Sequence, residues 1–320
     1  MRILIAGGLG FVGGRLAVHL LQAGHQIVLG SRCATNPPNW LPQAELVQID
    51  WADARALERI CVGVDLVIQA AGMNAQECFA DPVAALDFNG VATARLLAAA
   101  TRAAVRRFVY LSTAHVYGSP LVGTITEDTC PRNLHSYATS HLAGEFAVLS
   151  ACQRGLIQGI VLRLSNAFGA PTHRGVNCWM LLVNDLCKQT AQTRAMALQT
   201  NGLQHRDFVG MGEVCRVVEV LATCKAELLP PGVFNVGAGT SKSVLEMAQL
   251  IQQRCKQVLG FDPVLHRAEG GSSERVENLF YRAVALEKMG VIVSQDCTAE
   301  IDRLLTFCQS SFDRVSSSSR

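Results

Sequence analysis

The 320-residue sequence has no long uninterrupted apolar run and no cluster of basic residues. Because a membrane-spanning helix needs about eighteen or more apolar residues in a row, we expect no membrane span, and the strand-like N-terminus does not have the pattern of a signal peptide. The net charge is +2, from 28 basic and 26 acidic side chains, which does not favour nucleic acid or an acidic membrane surface as a partner. The sequence therefore predicts a cytoplasmic globular protein.

Patterns of disulfide and metal-binding cysteines are also lacking, although the sequence has 12 cysteines. No two of them are spaced as C-x-x-C, and most lie in apolar helical or strand contexts, as Cys152, Cys187 and Cys224 do. This distribution is typical of reduced, buried thiols in a cytosolic enzyme. We therefore expect neither disulfides nor a metal site.

The first thirty residues carry the strongest positive pattern. Ile3 to Ala6 is an apolar run typical of a buried parallel strand, Phe11 to Leu21 has the period of a helix, and Gln26 to Leu29 predicts the next strand. The turn between the first strand and the helix carries glycines that permit a tight turn, close approach to a pyrophosphate and close packing of helix on strand: Gly7, Gly10 and Gly13. The helix N-terminus adds free N–H groups and a positive dipole end. This unit predicts a dinucleotide site.

Strands and helices continue to alternate after this unit. The predicted strands are 45–49, 64–69, 107–111 and 159–164, and the predicted helices between them are 54–61, 82–104 and 137–154. This alternation predicts an α/β fold with a Rossmann-type doubly wound parallel sheet. We assign residues 1–168 to this domain. From about Gly169 helices (178–189, 214–224 and 243–258) mix with short strands, and we expect 311–320 to be a disordered tail.

Four further segments, together with the G-x-x-G-x-x-G spacing, match motifs of a known family. They are Ser112 to Gly118 (S-T-A-H-V-Y-G), Tyr137 to His141 (Y-A-T-S-H), Arg163 to Gly169 (R-L-S-N-A-F-G) and Arg206 to Val209 (R-D-F-V). From Met1 to about Gly290 the chain resembles the extended short-chain dehydrogenases/reductases, the NAD-dependent epimerase/dehydratase group that acts on nucleotide sugars. The resemblance implies that 169–310 is a smaller C-terminal substrate-binding region interleaved with the first domain, and that the long helices from Pro82 and Tyr137 form a homodimer.

The end of the second strand, Gly30-Ser31-Arg32, has no acidic residue. An acid here would bind the ribose hydroxyls of NAD and repel a 2′-phosphate, whereas a hydroxyl and a guanidinium suit that phosphate. We therefore predict NADP(H) as the cofactor, with NAD(H) as the alternative. By resemblance, Asp50 and Trp51 meet the adenine. The predicted cofactor-binding residues are Gly7, Gly10, Phe11, Val12, Gly13, Ser31, Arg32, Asp50, Trp51, Ala70, Ala71, Gly72, Leu111, Tyr137, His141 and Ser165.

The catalytic residues are predicted from the resemblance and from one departure from it. Thr113 matches the hydroxyl that binds the reacting sugar oxygen, Asn89 matches the helix asparagine that supports the active site, and Tyr137 matches the tyrosine that moves a proton. His141 stands where the family has the lysine that lowers the pKa of the tyrosine and holds the nicotinamide ribose. A histidine is shorter and mostly neutral at pH 7, so it would stabilise a tyrosinate less. Three interpretations stay open: a reductive enzyme, a cationic His141 beside the cofactor phosphates, or slow or lost hydride chemistry.

The substrate predictions come from the same resemblance. Family dehydratases place Asp-Glu directly after the threonine, and this chain has Ala114 and His115 there, which argues against a dehydratase. The expected partner is a nucleoside-diphosphate sugar, whose two phosphates suit arginines. The predicted substrate-binding residues are Thr113, His115, Asn166, Arg206 and Arg275.

The sequence therefore predicts an NADP(H)-dependent reductase of a 4-keto-(deoxy) nucleoside-diphosphate sugar. An NAD-dependent nucleotide-sugar 4-epimerase is the first alternative, although the missing lysine disfavours it, because an epimerase must run in both directions. A catalytically weakened dinucleotide-binding sensor or scaffold is the second alternative. The presence of Thr113, Tyr137 and Arg206 argues against it, although fold alone does not determine function.

Overall fold

The computed structural model describes residues 1–32, 36–230, 232–268 and 278–312. The strands in chain order are β1 (Arg2–Ala6), β2 (Gln26–Ser31), β3 (Glu45–Gln48), β4 (Leu66–Gln69), β5 (Arg107–Thr113), β6 (Gly123–Ile125), β7 (Gln158–Leu164), β8 (Asn166–Phe168), β9 (Ala195–Leu198), β10 (His205–Gly210), β11 (Gly232–Val236), β12 (Ser241–Ser243), β13 (Val264–Arg267) and β14 (Leu279–Tyr281). The helices are α1 (Phe11–Gln22), α2 (Ala54–Cys61), α3 (Ala75–Ala80), α4 (Pro82–Ala85), α5 (Thr93–Arg102), α6 (Ser136–Gln153), α7 (Leu182–Thr193), α8 (Met211–Thr223), α9 (Val244–Leu259), α10 (Val284–Lys288) and α11 (Thr298–Phe312).

Seven strands form one parallel sheet in the order β3-β2-β1-β4-β5-β7-β11. The chain builds β1 to β3 towards one edge, returns to place β4 beside β1, and then continues to the other edge. Ligands of open α/β sheets bind at such a reversal, beyond the carboxyl ends of the strands. The predicted Rossmann-type doubly wound sheet is confirmed.

The sheet is buried on both faces by helices. Side chains of β1 alternate between two core clusters: Ile3 and Ile5 pack with Leu16 of α1, and Leu4 packs with Leu57 of α2. The first cluster also contains the apolar face of α8, and the second contains those of α5 and α6. This double burial explains why the strands are continuous apolar runs in the sequence.

One helical segment after β4 is both long and apolar. Residues Pro82–Arg102 form a helical run of 21 residues that, by length and composition only, could cross a membrane. Half of its apolar window is buried inside the fold, where Leu96 belongs to the core beneath the sheet. A core helix of this kind meets the same length and composition test.

The residues after β7 build a second core beside the sheet. Strands β8, β10 and β12 form a small sheet, and β9 pairs with β13. Helices α7, α9 and α11 pack around a shared apolar cluster that includes Phe168 and Phe208. Strand β11 returns to the central sheet, so the two parts of the chain interleave. Helix α11 reaches Phe312, two residues into the segment predicted as a disordered tail, and 313–320 lie outside the described residues.

Glu300 of α11 joins the two parts through a nearly buried carboxylate. Arg15 of α1 donates to it through both terminal nitrogens, at 2.5 and 3.1 Å. The backbone N–H of Gly212, in the first turn of α8, donates to the same carboxylate at 3.1 Å. A negative charge is favourable at a helix N-terminus. Glu300 of α11 thus links α1 to the start of α8.

The cysteines of the described residues are all free thiols, and eight of the eleven are buried. Burial raises the pKa of Cys61, Cys215 and Cys308 to about 12 in each case. In the ranges that the structure covers, no group of three or more His, Cys, Asp or Glu side chains is placed to hold a metal ion.

Candidate active site

The glycine turn lies between β1 and α1 and supports a close backbone approach. Gly7 has φ +78°, and a Cβ there would lie 2.7 Å from the backbone nitrogen of Ala71. A Cβ at Gly13 would overlap the carbonyl of Gly7. The helix therefore packs directly on the turn because position 13 is a glycine. Gly10 is the N-cap of α1, which has no side-chain cap and no acid in its first turn. The first N–H groups of α1 have no acceptor within the helix and suit a phosphate.

A second group of predicted cofactor residues lies at the ends of β2 and β3. The guanidinium of Arg32 lies over the ring of Phe88, 5.3 Å from its centroid, and Trp51 packs edge-on against the same ring at 5.5 Å. Ser31 ends β2, and Asp50 is exposed beside it. Phe88 was not predicted, although it directly precedes Asn89. This edge presents a positive charge and aromatic surface.

A cavity of about 520 Å³ opens beyond the carboxyl ends of β1, β4 and β5. It brings together many of the predicted residues: Phe11, Val12, Ala70, Ala71, Gly72, Leu111, Thr113, His115, Tyr137, His141, Ser165, Asn166 and Arg206. It also has polar and apolar lining that the sequence did not indicate, including Asn74, Gln76, Asn177 and Met180. Gly7, Gly10, Gly13, Ser31, Arg32, Asp50, Trp51 and Asn89 do not line it, and Arg275 lies outside the described residues.

Tyr137 and Thr113 meet at the centre of this cavity. Tyr137 lies in the first turn of α6, and its phenol interacts with the side chain of Thr113 at the end of β5. The N–H of His115 donates to Thr113 Oγ1 at 3.1 Å, which fixes the hydroxyl. Burial raises the pKa of Tyr137, the hydrogen bond to Thr113 opposes this, and the Cys78 thiol adds to it. The Tyr137 phenol therefore keeps its proton at neutral pH.

His141 lies one helical turn after Tyr137, with ring centroids 4.6 Å apart. Its Nδ1 is 3.0 Å from the hydroxyl of Tyr110, and its buried Nε2 has no hydrogen-bond partner among the residues described. Burial, followed by the charge of His115, lowers the pKa of His141 to about 4. The imidazole is neutral at pH 7, so it supplies no cation beside Tyr137.

Asn89 supports the cavity wall from behind. It lies in a π-helical stretch, Leu86–Ala92, between α4 and α5, a type of distortion often found at functional sites. Its side-chain oxygen accepts the N–H of Met73 at 2.9 Å, and its nitrogen donates to Ser140 Oγ at 3.0 Å. Asn89 thus ties the loop after β4 to α6.

Ser165 and Asn166 are both held by the buried residue Asp207. Ser165 Oγ donates to Asp207 at 2.6 Å, and Asn166 Nδ2 donates to the Asp207 carbonyl at 2.9 Å. The N–H groups of Ala238 and Gly239 also donate to this carboxylate, at 2.9 and 2.8 Å. Burial raises the pKa of Asp207 to about 6, against these hydrogen bonds. Asp207 therefore positions two side chains that line the cavity.

Two basic side chains face the cavity from opposite elements. Arg206 of β10 is half-buried and has no carboxylate or hydrogen-bond partner in the described part of the chain. Desolvation lowers its pKa. Desolvation also lowers the pKa of His115, and the charges of Arg206 and His135 add to the effect. An unpaired guanidinium at a cavity wall suits an anionic ligand.

A buried ion pair beneath the site was not predicted. Glu145 of α6 accepts three bonds from Arg163 of β7, at 2.6, 3.0 and 3.2 Å, and a short bond from Ser112 of β5. The Arg163 guanidinium also lies 4.7 Å from the ring centroid of Tyr117. Glu145 follows Tyr137 by eight residues and lies on the same helix face. This spacing could have indicated from the sequence that Glu145 lies near the site.

The sequence of this chain is similar to those of two enzymes whose names give nucleotide sugars as their substrates. The chain is 32% identical over 263 residues to the dTDP-6-deoxy-L-talose 4-dehydrogenase (NAD(P)(+)) of Kitasatospora kifunensis, with 78% of each chain covered. It is 28% identical over 277 residues to the UDP-glucose 4-epimerase of Neisseria meningitidis serogroup C, covering 78% of this chain and 81% of the other.

A solved structure and a family model extend the match. The structure of TunA, an NAD-dependent NDP-hexosamine 5,6-dehydratase of tunicamycin biosynthesis, superposes with a TM-score of 0.78 at 26% identity, over 97% of this chain and 98% of that one. The family model that matches residues 3–237 is that of the NAD dependent epimerase/dehydratase family. This chain therefore belongs to the NAD-dependent epimerase/dehydratase family, whose members modify nucleotide sugars.

Proposed function

We propose that this protein is an NADP(H)-dependent reductase of a 4-keto-(deoxy) nucleoside-diphosphate sugar. The observation that carries the proposal is the pairing of a half-buried Tyr137, whose pKa is raised, with a neutral His141 in place of a cation. A tyrosine that keeps its proton serves as the acid of a reduction. The similarity to the Kitasatospora protein adds support, because its name gives a deoxy sugar nucleotide, the 4 position and either cofactor.

The residues present fit a dinucleotide. A Cβ at Gly7 or Gly13 would overlap neighbouring backbone atoms, so the turn stays tight only with glycine there, and the uncapped start of α1 offers N–H groups to a pyrophosphate. Arg32, exposed at the end of β2 where no acid stands, suits the 2′-phosphate that distinguishes NADP(H). The nicotinamide supplies the hydride when it is bound.

The chain's own residues supply the proton and the orientation. Tyr137 donates its phenolic proton to the developing alkoxide, and Thr113 binds the same oxygen. Arg206, with Ser165 and Asn166 beside it, binds the diphosphate end of the substrate. His115 closes the side of the cavity that faces Tyr137, at a ring distance of 6.4 Å.

We also propose that two copies of the chain associate through one apolar face. Phe79, Val83, Leu134 and Phe146 are between 63% and 89% exposed. They lie on or beside α3, α4 and α6, which pack against one another. So much exposed apolar surface on adjoining helices is typical of an interface.

The first experiment compares NADPH and NADH binding by calorimetry, using wild type, Arg32→Asp and Arg154→Asp. Arg154 is an exposed arginine at the far end of α6 and serves as the matched control. We expect tighter binding of NADPH, with the preference lost in Arg32→Asp and kept in Arg154→Asp. Preference for NADH in wild type, or NAD that co-purifies, would favour the 4-epimerase instead.

The second experiment follows loss of NADPH absorbance with a 4-keto-6-deoxy sugar nucleotide. We expect turnover in wild type and little in Tyr137→Phe, since the phenylalanine keeps the ring but has no proton to donate. Dinucleotide binding without turnover in wild type would contradict the reductase and favour a sensor.

A further inference from the structure

The contact between Tyr110 and His141 lies outside the roles described above. Both side chains are almost fully buried, at 1% and 6% exposure. The Tyr110 hydroxyl is 3.0 Å from His141 Nδ1. The other ring nitrogen, Nε2, is buried, has no partner within the described ranges and lies 4.0 Å from where a Cβ on Gly72 would be; Gly72 and His141 both line the cavity. A buried polar atom without a partner costs free energy, so a ligand group that binds it is favoured.

The position of the Tyr110 hydroxyl is closely determined. A Cβ at Gly144 of α6 would lie 2.6 Å from this oxygen, so the glycine makes the room that the phenol occupies. The hydroxyl has a second acceptor nearby, the backbone carbonyl of Asn89 at 3.4 Å. A phenol has one hydrogen to donate, and the nitrogen of His141 is the nearer acceptor.

We propose that Tyr110 is a positioning residue: its hydroxyl donates to His141 Nδ1, which places the ring hydrogen of His141 on Nε2 and presents that N–H to the cavity. A neutral imidazole carries one ring hydrogen, and the bond made by one nitrogen decides where it lies. Nε2–H then recognises an uncharged acceptor such as a sugar hydroxyl. The identification of this acceptor as a ribose of the dinucleotide rests on the proposed function. The assignment of the His141 tautomer is independent of that function.

The ionisation of both side chains is consistent with this arrangement. Burial, with the charge of Glu145 next, raises the pKa of Tyr110 well above its ordinary value, so the phenol keeps its hydrogen. The lowered pKa of His141 keeps the ring neutral. The Tyr110–His141 pair therefore offers the hydrogen bond that the family's lysine would donate from position 141, but it does not carry the positive charge of that lysine.

Nitrogen-15 NMR of protein labelled at histidine and freed of nucleotide tests the tautomer directly. We expect the His141 signals, assigned by their absence in His141→Gln, to show the hydrogen on Nε2 in wild type. Tyr110→Phe should give a mixture of tautomers, and Gly144→Ala, which displaces the hydroxyl, should do the same. Tyr137→Phe leaves the Nδ1 contact in place and should match wild type. Hydrogen on Nδ1 in wild type, or an unchanged spectrum in Tyr110→Phe, would overturn the proposal.

Calorimetry with NADPH separates this inference from the proposed function. Loss of one oriented hydrogen bond in Tyr110→Phe should weaken binding about two- to tenfold. If wild type shows hydrogen on Nε2 but does not bind NADPH or NADH, the tautomer stands and the proposed function fails. If wild type binds NADPH and Tyr110→Phe binds it equally well, the positioning role fails.

Discussion

The buried, neutral His141 makes the stability of this protein depend on pH. The folded chain lowers the pKa of this side chain from 6.5 to about 4. An unfolded chain therefore binds a proton at His141 between these values, and the folded chain does not. Because protonation of His141 then favours the unfolded chain, the contribution of neutral His141 to the free energy of unfolding is fully present above pH 6.5 and is lost as the pH falls towards 4.

The magnitude follows from the two pKa values. Each pH unit within the window costs about 1.4 kcal/mol, so acidification from pH 7 to pH 5 removes about 2 kcal/mol through this one group. That is a substantial part of the roughly 5–15 kcal/mol by which domains are stable. The groups that face the ring are Tyr137 on the same helix, Tyr110 from β5 and His115 after β5, and none of them is a carboxylate.

Urea unfolding at pH 7, 6 and 5, on protein freed of nucleotide, measures this contribution. His141→Gln should lose about 2 kcal/mol less than wild type between pH 7 and pH 5. His266→Gln removes an exposed histidine of β13 and should behave as wild type does. Equal losses in wild type and His141→Gln would show that His141 titrates in the folded protein as it does in the unfolded chain, and the argument from a neutral imidazole would then fail.

Three further predictions concern packing, charge and assembly. Gly13→Ala should abolish NADPH binding in calorimetry, because the methyl group overlaps the turn that must hold the phosphates; retained affinity would show that the turn can shift. Glu145→Gln should cost about 3–5 kcal/mol in urea unfolding, because it leaves a buried guanidinium without its counter-charge; a cost below about 1 kcal/mol would contradict that role. The double variant Val83→Glu, Phe146→Glu should sediment as a monomer if the proposed apolar face joins two copies, whereas the control Ile292→Glu, 78% exposed elsewhere, should sediment as wild type does; a wild-type monomer would rule out the dimer.

The parts of this structure that could be predicted from sequence are those decided by local physics. The glycine turn could be predicted because only glycine fits a left-handed turn packed against a neighbouring strand. Strand β1 could be predicted from its apolar run. Helix α3 was not predicted, because its six residues are too few to show a helical period. Helix α7 begins four residues later than predicted, because no capping side chain marks its start.

The surroundings of the site depend on contacts that no local pattern encodes. The missing lysine at His141 is visible in the sequence, but its partner Tyr110 comes from a strand 31 residues earlier and meets it only through the register of β5 against α6. The Arg163–Glu145 pair and the Asp207 carboxylate are likewise brought together by the assembled sheet.

The contact between Arg15 and Glu300 spans 285 positions of the chain, which has a consequence for synthesis. At about 5–20 residues per second, α1 leaves the ribosome roughly 15–60 s before its partner exists. During that interval the guanidinium and the open start of α8 are without the carboxylate that later neutralises both. The nucleotide-binding half can collapse early, but its first helix reaches its final environment only when one of the last helices made has docked.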